Sequence, residues 1–487
     1  MKYQKLRSDK KMLVLLGLLI QVVLGQEGAS VSGGTRQSDY QCSDSCKPPS
    51  CFCPSPKPPG GLAATSIPQF ITLTFDDSIN SVVLSQILNF TSNYTNPNGC
   101  SLSATFFVST QYSDFWDVQR MYSLGHEIAV HTINHVANPS LAEIVGSVKA
   151  TSAFGGVPVN KIAGFRTPFL SYSTATFQHL QKAGSFMYDS SMPVSYLSSP
   201  TFPYTLDYGP YSTCSPGTCE KPFSFPGLFE IPLYSLVNDD GTENATMDLN
   251  PPAGTTRQIS ADDVVGILKS NFNRRYTSSR LPLGIYLHAA SSVRTDAYIE
   301  GVRRFMDWIK TNNYTDVYWV SNQQLIAWMK APSDIKASLS SPALDCLMPA
   351  VDPSNPEICD GIDNNGNGGI DEGLTTSCYF PATQSSFTSC FECPTMFPTV
   401  SNPTPFATGM TRKTVPATGC PNQGTWDPVT GNCVALKRAK KVSQVTSTNC
   451  GANSNGDCKH DSGSTYSSLS SRLSWLLTVF LVISTII

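Results

Sequence analysis

From Ile67 to about Lys330, short apolar runs alternate with segments whose apolar residues return every three or four positions. Phe70–Phe75, Ala104–Val108, Glu127–His131, Ile162–Arg166, Phe186–Asp189, Phe229–Tyr234, Leu283–His288 and Val317–Val320 read as short apolar strands. Between them, Val82, Val83, Ile87 and Phe90, then Val264, Val265, Leu268 and Phe272, trace core-facing helical stripes. Ser140, Ser260 and Ser321 stand where N-caps belong, and Gly125 and Gly184 close helical stretches, the second ending a helix over Thr174–Ala183. Such alternation predicts an α/β fold: a distorted (β/α) barrel of seven to eight parallel strands, with Cys-rich N- and C-terminal extensions. The rhythm breaks from Met192 to Leu228, a Pro-, Tyr- and Ser-rich stretch holding Cys214 and Cys219. It is expected to be a disulfide-stapled insertion walling one side of a cleft.

Outside that region the pattern changes. Residues 1–25, with a basic start and an apolar run from Met12 to Leu24 too short to span a bilayer, are expected to be a signal peptide. Residues 26–65 follow: a polar lead to Asp39, expected to be disordered, then Cys42, Cys46, Cys51 and Cys53, expected to form a disulfide knot or a brace on the next domain. The catalytic unit is placed at 66–335, an Asp/Asn-rich segment at 344–375, and a Cys-rich tail with a Pro/Thr linker at 376–461. Residues 462–487 end in the apolar Trp475–Ile487 and resemble a glycolipid (GPI) anchor signal, with attachment near Ser462. Sixteen Cys and the sequons at Asn89, Asn93, Asn244 and Asn313 fit a secreted glycoprotein. A net charge of −3 with 14% charged residues gives no basis for electrostatic nucleic-acid binding.

Two stretches carry the chemistry: Thr72-Leu-Thr-Phe-Asp-Asp77 and Gly125-His-Glu-Ile-Ala-Val-His-Thr-Ile-Asn-His135. His131 and His135 are four apart, so on one helical turn their imidazoles would share a face and grip one ion. If the first stretch is a buried strand, its end delivers one carboxylate to that ion and leaves the neighbour free for proton transfer. Two His and one Asp form an incomplete Zn shell with room for water and a substrate oxygen. Asp76, Asp77, His131, Arg166 and His288 all stand at or just past the C-terminal ends of predicted strands, which share one rim in a barrel. His126 is expected to support a strand start, and His179 to lie on the surface.

Thr74-Phe-Asp-Asp77, His131-Thr-Ile-Asn-His135, Gly164-Phe-Arg-Thr-Pro-Phe169 and Leu287-His288 resemble, in order, motifs of the polysaccharide deacetylases of carbohydrate esterase family four, the NodB homology domain. Pro59-Gly-Gly-Leu62, Pro203–Tyr208, Phe229–Pro232 and His288-Ala-Ala290 are similar to stretches of arthropod chitin deacetylases. The resemblance implies that Asp77, His131 and His135 bind Zn²⁺ or another divalent transition metal. It makes Asp76 the general base, Arg166 its orienting partner, His288 the general acid, and the Phe169 backbone N–H an oxyanion donor beside the Zn. Phe169 stands where the family usually has Tyr, Ser291-Ser292 replaces a frequent Trp-Phe, and no Asp is matched to the family's fourth motif.

The expected function is a secreted, surface-tethered deacetylase that removes N-acetyl groups from chitin or related N-acetylglucosamine polymers. An O-acetyl esterase of xylan or another cell-wall glycan, and a silent glycan-binding protein, are the competing readings. Separately, Asp360, Asp363, Asn365, Asn367 and Asp371 place oxygen ligands on a tight Gly-rich turn suited to Ca²⁺. Leu374 at the twelfth position from Asp363 excludes an EF-hand.

Overall fold

The computed structural model describes residues 33–91, 94–251, 256–289, 296–347, 359, 361–363, 370–371, 373–390, 393–406, 425–427 and 432–434. The expected signal peptide, the anchor signal with Ser462, and Asn93, Asp360, Asn365 and Asn367 lie outside these residues. Among the described residues no helix is long and apolar enough to cross a membrane.

Strand β1 (Gln69–Asp77) is second from one end of the main sheet and has three strand partners. On one side it pairs with β10 (Leu283–His288). On the other it pairs with β2 (Thr105–Val108) and, at its start, β11 (Val317–Trp319), all parallel. From β2 the parallel order runs through β3 (Glu127–Val130), β4 (Gly164–Phe165) and β5 (Tyr188–Asp189) to β8 (Phe225–Glu230). β7 (Tyr204–Leu206) joins β8 antiparallel. The predicted strand Phe229–Tyr234 is two elements. Pro232, which has no N–H to donate, separates β8 from β9 (Leu233–Tyr234), which pairs with β6 (Pro193–Val194). The gap between these strands and β10 is bridged by Tyr286, whose hydroxyl donates to Pro232 O (3.0 Å) and accepts from Tyr234 N (3.2 Å). The sheet is a barrel left open at that seam.

The twofold period of a strand separates core from site. Ile71, Leu73 and Phe75 pack outward with Ile285 and Leu287 in the layer beneath the helices. Phe70, on the other face, packs with Phe107, Tyr188, Phe229 and Tyr318 in the barrel interior. Thr72, Thr74 and Asp76 share the parity of Phe70, as His288 shares that of Tyr286. The predicted caps Ser140, Ser260 and Ser321 each accept a backbone N–H of their helix's first turn. The stripe of helix Ser81–Thr91 is narrower than expected, since Val82 is half exposed while Val83 and Ile87 are buried.

The lead expected to be disordered is fixed from Gly33 onward. Gly34 bridges Val194, Arg36 bridges Ser212, and Gln37 Nε2 donates to Pro210 O (2.8 Å) and Ser212 O (3.0 Å). A Cβ on Gly34 would fall 2.2 Å from Thr213 O, so the approach requires glycine. Low hydrophobicity does not leave this segment loose because the insertion offers it unpaired backbone groups. The insertion carries the Cys214–Cys219 disulfide. Cys42–Cys53 and Cys46–Cys51 form a brace: between them Phe52 is buried, exchanges bonds with Thr205 and lies 5.1 Å from the Phe229 ring.

Beyond the barrel, Cys359–Cys390 joins the expected Asp/Asn-rich segment to the expected Cys-rich tail, so the two form one linked unit with Cys378–Cys393. Its hairpin, β12 (Thr376–Phe380) and β13 (Ser385–Ser389), packs Phe380 and Phe387 against Phe115 and Phe154 of the catalytic unit. Asp371 is buried and accepts from Trp116 Nε1 (2.5 Å) and Gly361 N, a bracing role that the calcium expectation did not include.

Candidate active site

Asp77, His131 and His135 converge at the C-terminal rim. His135 Nε2 lies 3.1 Å and His131 Nε2 3.7 Å from Asp77 Oδ1, and the three atoms lie within 4.8 Å of one another. Contrary to expectation, no helix brings the two imidazoles together. Residues 131–140 form a loop in which Thr132 (φ 72°) and His135 (φ 49°) are left-handed. Its amides are satisfied from outside: Glu143, in the first turn of helix Leu141–Gly155, accepts from Ile133 N (3.0 Å), Asn134 N (3.1 Å) and Asn134 Nδ2 (2.8 Å).

The donor set fits a metal ion. His131 Nδ1 lies 2.7 Å from Arg166 O and must carry the proton, which leaves Nε2 bare toward Asp77. Burial pushes His131 down to about 4, so it is neutral at pH 7. Burial works to raise Asp77, but His135, His131 and His288 hold it down to about 2. Asp77 Oδ1 is buried without a hydrogen-bond donor. A bare carboxylate oxygen and a bare imidazole nitrogen facing one point, with a second imidazole beside them, suit a Zn²⁺-sized cation.

Asp76 is 2% exposed, and its Oδ1 accepts from Arg166 (2.6 Å), leaving Oδ2 4.0 Å from His131 Nε2. Adjacent strand residues ordinarily face opposite sides. With φ 81° Asp77 leaves that regime, and both carboxylates come within 4.0 Å of one imidazole nitrogen. Arg166 is itself immobilised: it donates to Thr74 Oγ1 (3.1 Å), Ser190 O (2.7 Å) and Ser190 Oγ (3.0 Å), and lies 4.0 Å over the Phe107 ring.

His288 emerges from β10 at the level of Asp76. Its Nδ1 pairs with Asp248 Oδ2, and its backbone N donates to Asp248 Oδ1 (3.2 Å). Burial disfavours the charged imidazole, but Asp248, with Asp77 and Asp76 behind it, overrides this and lifts His288 to about 10. Phe169 has φ 57°, Leu170 φ 50° and Asp248 φ 46°, so left-handed non-glycine residues gather around this site, as is common where function fixes the backbone. Among the described residues the Phe169 N–H is donated to no partner, and its half-exposed ring lies 4.6 Å from that of His135.

Residues 64–187 match the family described as Polysaccharide deacetylase. Chitin deacetylase 8 of Bombyx mori is 30% identical over 374 residues, covering 74% of this chain and 92% of the relative. The chain belongs to the polysaccharide deacetylase family. Chitin deacetylase 1 of Bombyx mori is 28% identical over 386 residues, covering 74% of this deacetylase and 68% of the relative. Among solved structures, the chitin deacetylase of the fungal pathogen Colletotrichum lindemuthianum is 16% identical with a TM-score of 0.30, covering 53% of this chain and 88% of that one. By its family match and its Bombyx mori relatives, this protein is a hydrolase of the deacetylase class.

The structure brings Asp76, Asp77, His131, His135, Arg166 and His288 together as the sequence reading expected, but that reading did not name Glu143 or Asp248. Glu143 had a signal in the Ser140-x-x-Glu143 capping pattern, although its carboxylate turns to the 131–140 loop. Asp248 had none. Nor had Asp189 and Glu230, buried register partners of β5 and β8 that face each other. Burial lifts Asp189 to about 6 and Glu230 well above the carboxylate range, so the pair retains a proton. His126 supports the start of β3 by accepting from Ala104 N (3.1 Å). His179 is half-buried rather than on the open surface, its Nδ1 3.1 Å from Pro139 O. Of the sequons, Asn313 is exposed, while Asn244 is buried at 6% exposure.

Proposed function

We propose that this chain is a secreted, metal-dependent deacetylase that hydrolyses N-acetyl groups of N-acetylglucosamine polymers, chitin first, and is tethered at the cell surface through a lipid near Ser462. Six disulfides among the described residues fit an oxidising compartment. The observation that carries the catalytic reading is the convergence of Asp77, His131 and His135 beside a buried, arginine-held Asp76, with His288 on the neighbouring strand.

Asp77, His131 and His135 would hold the ion, Zn²⁺ by donor type. When bound, it would supply Lewis-acid polarisation of the acetyl carbonyl and lower the pKa of a water. Arg166 fixes one oxygen of Asp76, so the other is presented to accept the proton of the attacking water. The Phe169 N–H is held in a left-handed turn where it can donate to the developing oxyanion. An amine leaves poorly unless protonated, and His288, kept cationic by Asp248, can deliver that proton as the C–N bond breaks.

The test is acetate release from chitin oligomers by a chain ending before Ser462, after chelation and after Zn²⁺ add-back. Chelator-sensitive, Zn-restored release is expected. Silence on chitin with release from acetylated xylan would move the substrate to O-acetyl groups, and silence on both would leave a glycan-binding protein.

A further inference from the structure

Asn244-Ala-Thr246 is a sequon, yet the carboxamide of Asn244 is fully engaged. Oδ1 accepts from Ala245 N (2.8 Å) and Asn250 N (2.8 Å), and Nδ2 donates to Asn238 Oδ1 (2.8 Å) and Asn250 O (3.1 Å). A carboxamide has two donor hydrogens and two acceptor positions, and all four are used. A sugar on Nδ2 would remove one of those hydrogens and need space that a side chain at 6% exposure lacks.

The bonds to Asn250 explain what this residue does instead. One side chain takes both the N–H and the C=O of Asn250, closing residues 244–250 into a ring. Asp248 sits inside that ring with φ 46°, its N–H donated to Tyr286 O (3.2 Å) on β10 and its carboxylate on His288. The ring is pinned again where Tyr298 donates to Leu249 O. A left-handed Asp in a loop would relax if released, and the carboxylate would leave the imidazole.

We infer that Asn244 is an unglycosylated positioning residue whose carboxamide closes the 244–250 loop and so presents Asp248 to His288. The inference rests on the reading of His288 as the acid that protonates the leaving amine. A substrate with a good leaving group, such as 4-nitrophenyl acetate, makes no such demand, and this separates positioning of the acid from general damage.

The experiment uses the secreted full chain and reads the ratio of kcat on an N-acetylglucosamine oligomer to kcat on 4-nitrophenyl acetate, with peptide mass at Asn244. Peptides carrying Asn244 are expected to be unmodified. Asn244→Ala is expected to lower the amide-to-ester ratio about tenfold or more with little change in KM, in the direction of His288→Ala. Should Asn244→Ala fail to fold, Asn244→Asp, which keeps the acceptor oxygen, and Asn238→Ala, which removes one partner, carry the same comparison with a smaller fall. A glycan on Asn244 in the active fraction, or a ratio unchanged in all three variants while His288→Ala lowers it, overturns the positioning role alone. An unchanged ratio in His288→Ala overturns the acid reading itself.

Discussion

Asp76 and His288 are register partners across the parallel β1–β10 pair. The carboxylate proposed to accept a proton and the imidazole proposed to donate one therefore leave adjacent strands at the same height. Their anchors are separate: Arg166 holds Asp76 at 2.6 Å, and Asp248 pairs with the His288 ring. An acetyl group held at this rim would meet base and acid together.

Asp76→Asn should cut deacetylation by about 100-fold or more, because the amide cannot take up the water's proton. Metal content should stay at the wild-type level, since Asp76 is not among the converging ligand atoms. Kinetics with metal analysis on the same sample checks both, and a variant as fast as the wild type would reject the assigned base.

Glu143→Ala should weaken metal retention by about 10- to 100-fold, the usual cost of losing an outer partner of the ligands. Ile133 N and Asn134 N lose their acceptor, and the loop carrying His131 and His135 is freed. The measurement is the chelator concentration that halves bound metal. Identical curves for variant and wild type would mean that the loop holds without Glu143.

Asp248→Asn should move the alkaline limb of kcat to lower pH. His288 sits above its ordinary value, at about 10, chiefly because Asp248 outweighs the cost of burial. A proton donor acts below its pKa and is lost as pH rises through it, so a lower pKa ends activity earlier. The stability from this pairing follows the same sign: complete below about 6.5, the free imidazole value, and gone once pH has risen past 10. Profiles of kcat against pH decide it, and a limb that stays in place would assign the titration to another group.

Removal of Trp475–Ile487 should divert the protein from the membrane fraction to the medium, since an anchor signal without its apolar tail is not processed. Fractionation and blotting read the outcome. An unchanged membrane fraction would defeat the glycolipid proposal.

The sequence by itself determined most of the barrel strands and marked the polar residues at their ends. Parallel strands covered on both faces must be written as apolar runs, and a carboxylate after such a run, as at Phe75-Asp76-Asp77, can only mark its rim. It also placed Ser140, Ser260 and Ser321, because a cap acts within three residues of itself and leaves a local mark. Tertiary structure alone decided how these residues are held. His131 and His135 meet through left-handed loop residues whose amides turn to Glu143, although the i, i+4 spacing reads as a helix. Asp248 reaches His288 across forty positions, Asp189 faces Glu230 only because β5 lies against β8, and a sequon at Asn244 is spent on closing a loop. Strand register and side-chain bonds to a distant backbone carry no periodicity, so nothing along the chain announces them before it folds.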